Sequence, residues 1–174
     1  MGIQFETDYN METLTAMAKG LRKTVRKKRS RRVHIFAAVV LILGLLTILA
    51  TTAGGEPLGA SGVVTLLAML VVILVSLFED KLNAWFARKR LLPGTEHAAA
   101  TFEEDGYVSA TGVTKSRFSY AQIVAVAETA RYFVFALSSH HTQAYDKRTI
   151  RGGSVEDFRA FIAEKTGKLV ENIK

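Results

Sequence analysis

Residues 33–53, VHIFAAVVLILGLLTILATTA, and residues 58–78, LGASGVVTLLAMLVVILVSLF, decide the architecture of this 174-residue chain. Neither run contains aspartate, glutamate, lysine or arginine. Twelve residues of the first and thirteen of the second are leucine, isoleucine, valine or phenylalanine. A helix of 21 residues rises about 30 Å, which matches the hydrocarbon thickness of a bilayer. The two runs therefore predict a transmembrane hairpin of two helices over residues 33–78.

The charges around the two runs predict their orientation. The connection from Gly54 to Pro57 has no lysine or arginine, whereas cations crowd both outer flanks; they are Lys19, Arg22, Lys23, Arg26, Lys27, Lys28, Arg29, Arg31 and Arg32 before the first run, and Lys81, Arg88, Lys89 and Arg90 after the second. By the positive-inside rule, a multi-pass protein of the cytoplasmic (inner) membrane with both termini in the cytoplasm is expected. A cleaved signal peptide and a soluble helical hairpin are the alternatives. Both fit poorly, because the first run is long for a signal peptide and a second run follows at once.

The segments that flank the hairpin have patterns of their own. Ile3 to Glu6 alternates like a short strand, and apolar residues from Met11 to Val25 recur at helical spacing. Eight cations of this basic helix form a candidate membrane-surface patch; they are Arg22, Lys23, Arg26, Lys27, Lys28, Arg29, Arg31 and Arg32. Two interpretations stay open: the cations only set topology, or they also attract anionic lipid. The helix after the second run is expected to continue to Arg90.

Beyond His97 the apolar period changes from helical to two. Strands are expected over 98–103, 107–111, 114–120, 123–129, 132–137 and 143–147, with a turn at 104–106 and a polar loop at 138–141. Ser154 is the expected N-cap of a final helix, with Asp157 as its capping partner. The predicted fold class is therefore a membrane helical hairpin plus a small α+β domain, a curved antiparallel sheet closed by a C-terminal helix. The chain is therefore predicted to have four parts. They are the N-terminal strand and basic helix (residues 1–32), the transmembrane hairpin (33–78), a helical extension and linker (79–96) and the cytoplasmic domain (97–174).

Few side chains suggest a site. The chain has no cysteine, so disulfides and thiolate ligands are excluded. The polar loop holds His140 and His141, which predict neither a metal site nor a catalytic pair, and Glu128 is expected to cap a turn or pair with Arg131. No catalytic residue, metal or cofactor is expected. The one anion or headgroup-binding hypothesis concerns the basic loop before the last helix, where cations and glycines precede free helical N–H groups; its residues are Lys147, Arg148, Arg151, Gly152, Gly153 and Ser154.

Residues 102–162 resemble the YcxB-like family of bacterial membrane proteins, and the N-terminal strand, the basic helix and the hydrophobic hairpin also resemble that family's layout, so the similarity extends over most of the chain. The resemblance is carried by short motifs; they are Glu104-Asp105-Gly106, Ser119-Tyr120 with Ile123, Glu128-Thr129 with Tyr132-Phe133, and Lys147-Arg148. One departure is Asp146, which stands where the family tends to have proline. The resemblance implies a small domain similar to pleckstrin-homology folds and assigns no biochemical role.

The expected function is a membrane-anchored, non-enzymatic interaction or regulatory module whose folded domain lies at the cytoplasmic leaflet. Its expected partners are the lipid bilayer with its anionic lipids, and a protein partner or another copy of the chain. Nucleic acid is not expected, because the positive charge lies beside the hydrophobic runs and not on the folded domain. An immunity protein against a membrane-active toxin is the alternative, and a membrane enzyme and an oligomeric pore are further ones.

Overall fold

The computed structural model describes residues 2–173. Its two longest helices are α2 (Lys27–Ala53) and α3 (Ala60–Leu77), which lie side by side and are joined by residues 54–59. Gly44 allows the helices to approach, because a Cβ there would lie 2.8 Å from the sulfur of Met69. Neither helix has a buried residue. Both are long and apolar enough to span a membrane, which confirms the predicted pair of long apolar helices.

Two shorter helices extend this pair and pack against each other. They are α1 (Met11–Lys23) and α4 (Glu79–Lys89), and α4 follows α3 after a single intervening residue. The apolar pattern predicted a helix as far as Val25, but α1 ends at Lys23. It ends there because Thr24 leaves the helical region (φ −103°, ψ −93°) and its hydroxyl donates to the Gly20 carbonyl at 2.8 Å.

The first sheet contains four antiparallel strands in sequence order; they are β1 (Ile3–Asp8), β2 (His97–Phe102), β3 (Tyr107–Thr111) and β4 (Lys115–Phe118). The predicted turn at 104–106 joins β2 to β3. A Cβ at Gly106 would lie 2.5 Å from the Phe118 carbonyl oxygen, so this position requires glycine. Because β1 pairs with β2, the N-terminal strand belongs to the same sheet as residues 97–118.

The second sheet has the order β7-β6-β5-β8; its strands are β5 (Ala125–Glu128), β6 (Tyr132–Ala136), β7 (Thr142–Asp146) and β8 (Val170–Asn172). A single antiparallel sheet was expected, and this is corrected to two four-stranded sheets with one parallel pair, β5 with β8. The parallel strand exists because α5 (Val155–Thr166) ends at Gly167, whose φ of +63° returns the chain toward β5. The α+β class and the C-terminal helix are confirmed.

Helix α5 begins where the sequence predicts. The Ser154 hydroxyl accepts from the Asp157 amide at 3.0 Å, and the Asp157 carboxylate accepts from the Ser154 amide at 3.1 Å, which completes a capping box. The buried face of α5 places Phe158 against Phe5 and Phe102, with ring centroids 4.6 and 4.8 Å apart. These rings come from three distant segments, and they form the centre of the core between the two sheets.

Candidate functional site

The most distinctive polar surface lies where α1, α2 and α4 meet the loop that joins β6 to β7. A cavity of about 530 Å³ opens there, and we call it the helix-junction cleft. Its charged lining comprises four arginines and one carboxylate; they are Arg22, Arg26, Arg29, Arg90 and Glu79. Apolar side chains of α1, α2 and α4 complete the wall, so the cleft combines positive charge with a hydrophobic surface.

Close packing of α1 places the first of these arginines. Gly20 lies against β6, where an added Cβ would be only 2.7 Å from a methyl group of Val134. This approach brings the next turn of α1 beside α4. There the Arg22 guanidinium donates to Asp80 through Nε at 2.7 Å and Nη2 at 2.6 Å, a bidentate ion pair. This hydrogen bonding raises the pKa of Arg22 above its usual value, and the pair fixes α1 to α4.

The carboxylate that lines the cleft, Glu79, is less well satisfied than Asp80. Glu79 Oε2 lies 3.8 Å from Arg22 Nε and 3.8 Å from His34 Nε2, too far for a hydrogen bond to either. This oxygen is buried, and it accepts no hydrogen bond from residues 2–173. A buried carboxylate oxygen without a donor is costly, and the Glu79 side chain is still 28% exposed, so its carboxylate retains free acceptor capacity.

Arg26 joins the helices to the polar loop at 138–141. Its Nε donates to the Ser139 carbonyl oxygen at 2.7 Å, and its Nη2 lies 2.9 Å from His140 Nδ1. His140 and His141 thus lie on an exposed loop, one of them against a guanidinium. In the described part of the chain, no three histidine, aspartate or glutamate side chains converge to hold a metal ion.

The predicted membrane-surface cations divide into two groups. Arg22 and Arg26 are partly buried and bind within the fold. The others are exposed; they are Lys23, Lys27, Lys28, Arg29, Arg31 and Arg32. The exposed group leads directly into the apolar part of α2, since all but Lys23 lie on that helix. Attraction of this group to anionic lipid stays a prediction.

The basic loop before α5 is largely occupied by internal contacts. Lys147 Nζ donates to Glu128 at 2.5 Å and to the Thr129 carbonyl oxygen at 2.5 Å. The Arg148 guanidinium donates to Asp146 at 3.0 Å, and Arg151 lies 3.7 Å from Glu6. The first two predicted cations are therefore held by two different carboxylates.

The remaining loop residues shape the backbone. Gly152 has a φ of +83°, and a Cβ there would lie 2.6 Å from the carbonyl oxygen of Gly2. Gly153 precedes Ser154, whose hydroxyl is engaged in the α5 capping box. The structure thus shows how these residues build the turn into α5, and headgroup binding by this loop stays a prediction.

Glu128 has different partners from the one expected. Its carboxylate, only 6% exposed, accepts from Lys147 and from Arg159 at 2.7 and 2.8 Å, whereas Arg131 pairs with Asp146 and Glu12. The pairing with Arg131 was wrong because α5 carries Arg159 across the β5 surface, a placement that sequence spacing does not reveal. Hydrogen bonds from Arg159 and Lys147 lower the pKa of Glu128 to about 2. This cluster links β5, the basic loop and α5.

The motif of Ser119, Tyr120 and Ile123 also has a structural role. A strand was expected to reach Tyr120, but β4 ends at Phe118 and a 3₁₀ turn follows, because Ser119 caps it. The Tyr120 hydroxyl donates to the carbonyl oxygens of the β2–β3 hairpin at 2.6 and 3.1 Å, and Ile123 is fully buried. The motif therefore ties the turn to the hairpin and the core.

Comparison with known protein families gives one match, which begins at the last residue of β2 and ends in α5. Comparison with curated proteins and with solved structures gives no match. The matched segment contains the 104–106 turn, the Ser119-Tyr120 turn, the β5–β6 pair and the Lys147-Arg148 turn, whose geometry is described above. Residues 102–162 form a YcxB-like family domain.

Proposed function

We propose that this chain is a membrane-anchored, non-enzymatic interaction module whose α+β domain lies at the cytoplasmic leaflet. In this proposal the α2–α3 hairpin crosses the bilayer and the folded domain presents a surface to a lipid headgroup or a protein partner. The observation that carries the proposal is the contrast in burial between the two parts of the chain. Many large apolar side chains of the hairpin are exposed, from 39% at Ile73 to 72% at Leu77, whereas those of the α+β core are buried.

Exposing the apolar surface of the hairpin to water would be unfavourable in free energy. Burial of apolar surface contributes about 25 cal/mol per Å², and a contiguous exposed patch along two helices of this length marks a membrane or partner surface. A lipid bilayer would cover the apolar side chains of both helices. It would leave no backbone group without a hydrogen bond, because these groups are already paired within each helix. The hairpin ends that carry lysine and arginine are the ends joined to α1 and α4, which supports a cytoplasmic domain.

The connection between hairpin and domain supports a fixed position for the domain. The chain enters the hairpin through α1 and leaves it through α4, and Arg22 and Asp80 join these two helices. Two chain connections and an ion pair hold the domain more firmly than one flexible linker. We also assign the domain to a pleckstrin-homology-like fold, supported by its two four-stranded sheets and a C-terminal helix.

Membrane retention tests the proposal. Arginine at the centre of a spanning helix costs about 2.5–3.5 kcal/mol, and either apolar helix could anchor the chain by itself. The variant therefore carries Leu43→Arg and Leu46→Arg in α2 together with Leu67→Arg and Leu70→Arg in α3, and it is expected to be released from membranes washed with alkaline carbonate. The control pair Ala121→Arg with Glu164→Arg changes exposed positions of the α+β domain and is expected to leave retention unchanged. Wild-type protein that stays in solution after membranes are sedimented would refute the proposal.

A further inference from the structure

The helix-junction cleft has an excess of positive charge. Asp80 lies outside the lining and neutralises Arg22 through the bidentate pair. The lining then has three further arginines against the single carboxylate of Glu79, an excess of two positive charges. Within residues 2–173, the exposed side chains of Arg29 and Arg90 form no ion pair and no side-chain hydrogen bond. Two planar donor groups thus border one cavity, an arrangement suited to bidentate recognition of phosphate.

The same cavity also offers a hydrogen-bond acceptor to its occupant, because Glu79 lines it and the Glu79 side chain is 28% exposed. Glu79 Oε2 is buried and has no donor among the described residues, although Arg22 and His34 each approach to 3.8 Å. A ligand that supplies only a phosphate would leave the accessible part of this carboxylate without a donor. The cleft therefore matches a molecule that carries an anionic phosphodiester and a separate hydrogen-bond donor.

The apolar wall indicates that the occupant is a lipid. Val33, the first residue of the apolar run, and Phe86 of α4 both line the cleft, and their side chains are 54% and 52% exposed. These apolar side chains line the same cavity as the arginines. A lipid could therefore place its headgroup at the arginines and the start of its acyl chains at Val33 and Phe86. This argument rests on the proposed function, because it places the start of the apolar run at the membrane interface.

We propose that the helix-junction cleft binds the glycerol-phosphate headgroup of an anionic membrane lipid, its phosphate held by Arg29 and Arg90 and a glycerol hydroxyl donating to Glu79. A hydroxyl satisfies Glu79 without adding charge. An ethanolamine or choline headgroup would instead bring a cation beside Arg22, and its lipid would carry no net charge to balance the arginines. The cleft therefore distinguishes phosphatidylglycerol from zwitterionic phospholipids by charge, and from phosphatidic acid by its hydroxyl groups.

Quenching of the single tryptophan tests this proposal. Trp85 precedes Phe86 on α4 and is 44% exposed, so brominated lipids next to the cleft will quench its fluorescence. The full-length protein is reconstituted in phosphatidylcholine vesicles that contain brominated phosphatidylglycerol, phosphatidic acid or phosphatidylcholine. Charge-assisted hydrogen bonds from two arginines predict about a tenfold preference for phosphatidylglycerol over phosphatidylcholine.

A matched pair of variants separates the cleft from general surface charge. Arg29→Gln with Arg90→Gln is expected to lower the preference for phosphatidylglycerol over phosphatidylcholine about tenfold. The remaining preference is then that of lipids that surround the protein without binding to a site. Arg32→Gln with Arg88→Gln removes the same charge at neighbouring positions of the same two helical segments, outside the cleft, and is expected to retain the preference. Equal loss in both double variants would overturn the site, because surface charge alone would then explain the binding.

Glu79→Ala tests the hydroxyl contact. The variant increases the positive excess of the cleft, so binding of phosphatidic acid is expected to rise while the ratio of phosphatidylglycerol to phosphatidic acid falls. A rise of both lipids by the same factor would refute the hydroxyl contact. The outcomes also separate the two proposals: quenching by brominated phosphatidylcholine without headgroup preference removes only the lipid site, and no quenching by any brominated lipid removes the membrane anchor as well.

Discussion

Replacing Glu128 by glutamine is expected to destabilise the α+β domain in a pH-dependent way. The carboxylate is 6% exposed and accepts three hydrogen bonds from Lys147 and Arg159. Glutamine has nearly the same shape but no charge, so the Glu128→Gln variant keeps the packing while it leaves Lys147, only 13% exposed, without a counterion. The change therefore isolates the electrostatic contribution of the cluster.

The expected magnitude follows from the pKa of Glu128. Folding lowers this pKa from 4.5 to about 2, and such a shift corresponds to about 3 kcal/mol of stabilisation at neutral pH. Arg159 is 40% exposed, and solvent screening of that partner reduces the expected cost to about 2 kcal/mol. A domain of ordinary stability, about 5–15 kcal/mol, remains folded after this loss.

Urea unfolding in detergent micelles measures the effect. Four buried tyrosines give a near-ultraviolet circular dichroism signal that reports the packing of the domain; they are Tyr107, Tyr120, Tyr132 and Tyr145. Because the folded-state pKa is the lower one, the contribution of Glu128 is present above pH 4.5 and lost as the pH falls toward 2. The difference in free energy of unfolding between wild type and Glu128→Gln is therefore expected to close over that interval.

A surface pair provides the control. Glu104 pairs with Lys165 but is 80% exposed, so Glu104→Gln is expected to leave the free energy of unfolding unchanged at every pH. The electrostatic explanation is refuted if Glu128→Gln matches wild type at pH 7. A difference that persists undiminished at pH 2 would equally contradict it, since about half of the folded-state carboxylate is then protonated and most of its stabilising contribution is lost.

Three further substitutions test packing and local structure. Phe158→Ala empties a fully buried position whose ring lies 4.6–5.0 Å from three phenylalanine rings, and the same unfolding assay is expected to show a loss of about 3–5 kcal/mol. Tyr120→Phe removes the hydrogen bonds to the β2–β3 hairpin, with an expected loss of about 1–2 kcal/mol. Gly20→Val collides with Val134 and is expected to separate α1 from β6, which faster tryptic cleavage near residues 22–28 would reveal. Gly59→Val, at a position with no neighbour within 4 Å, is the control and is expected to leave cleavage unchanged.

Local patterns predicted the parts of the fold that neighbouring residues determine. The apolar runs gave α2 and α3, the turn at 104–106 gave the β2–β3 hairpin, and Ser154 with Asp157 gave the start of α5. Each depends on residues close in sequence, whose spacing expresses a helical or strand period directly.

Apart from the ends of α1 and β4, which Thr24 and Ser119 set locally, the missed features depend on contacts between distant residues. Strand β1 pairs with β2 although the whole α2–α3 hairpin lies between them in the sequence. Strand β8 has only three residues, and its place beside β5 is set by the turn at Gly167. The sequence offered Arg131 as the nearest cation to Glu128, yet Arg159 reaches it from α5.

The helix-junction cleft was missed for the same reason. Arg22 and Asp80 are 58 positions apart, and a run of cations gives no sign that two of its arginines bind inside the fold. The one available signal was the pair of acids, Glu79 and Asp80, directly after a long apolar run, where acidic residues need partners.

Cysteine accessibility tests the membrane-crossing hairpin most directly. The chain has no cysteine, so Glu56→Cys in the α2–α3 connection and Glu164→Cys on α5 each create a single reactive site. A membrane-impermeant maleimide is applied to intact cells from which any outer membrane has been removed. It is expected to label Glu56→Cys, and to label Glu164→Cys only after lysis. Labelling of Glu164→Cys in intact cells, or protection of Glu56→Cys until lysis, would contradict a hairpin that crosses the bilayer with its domain in the cytoplasm.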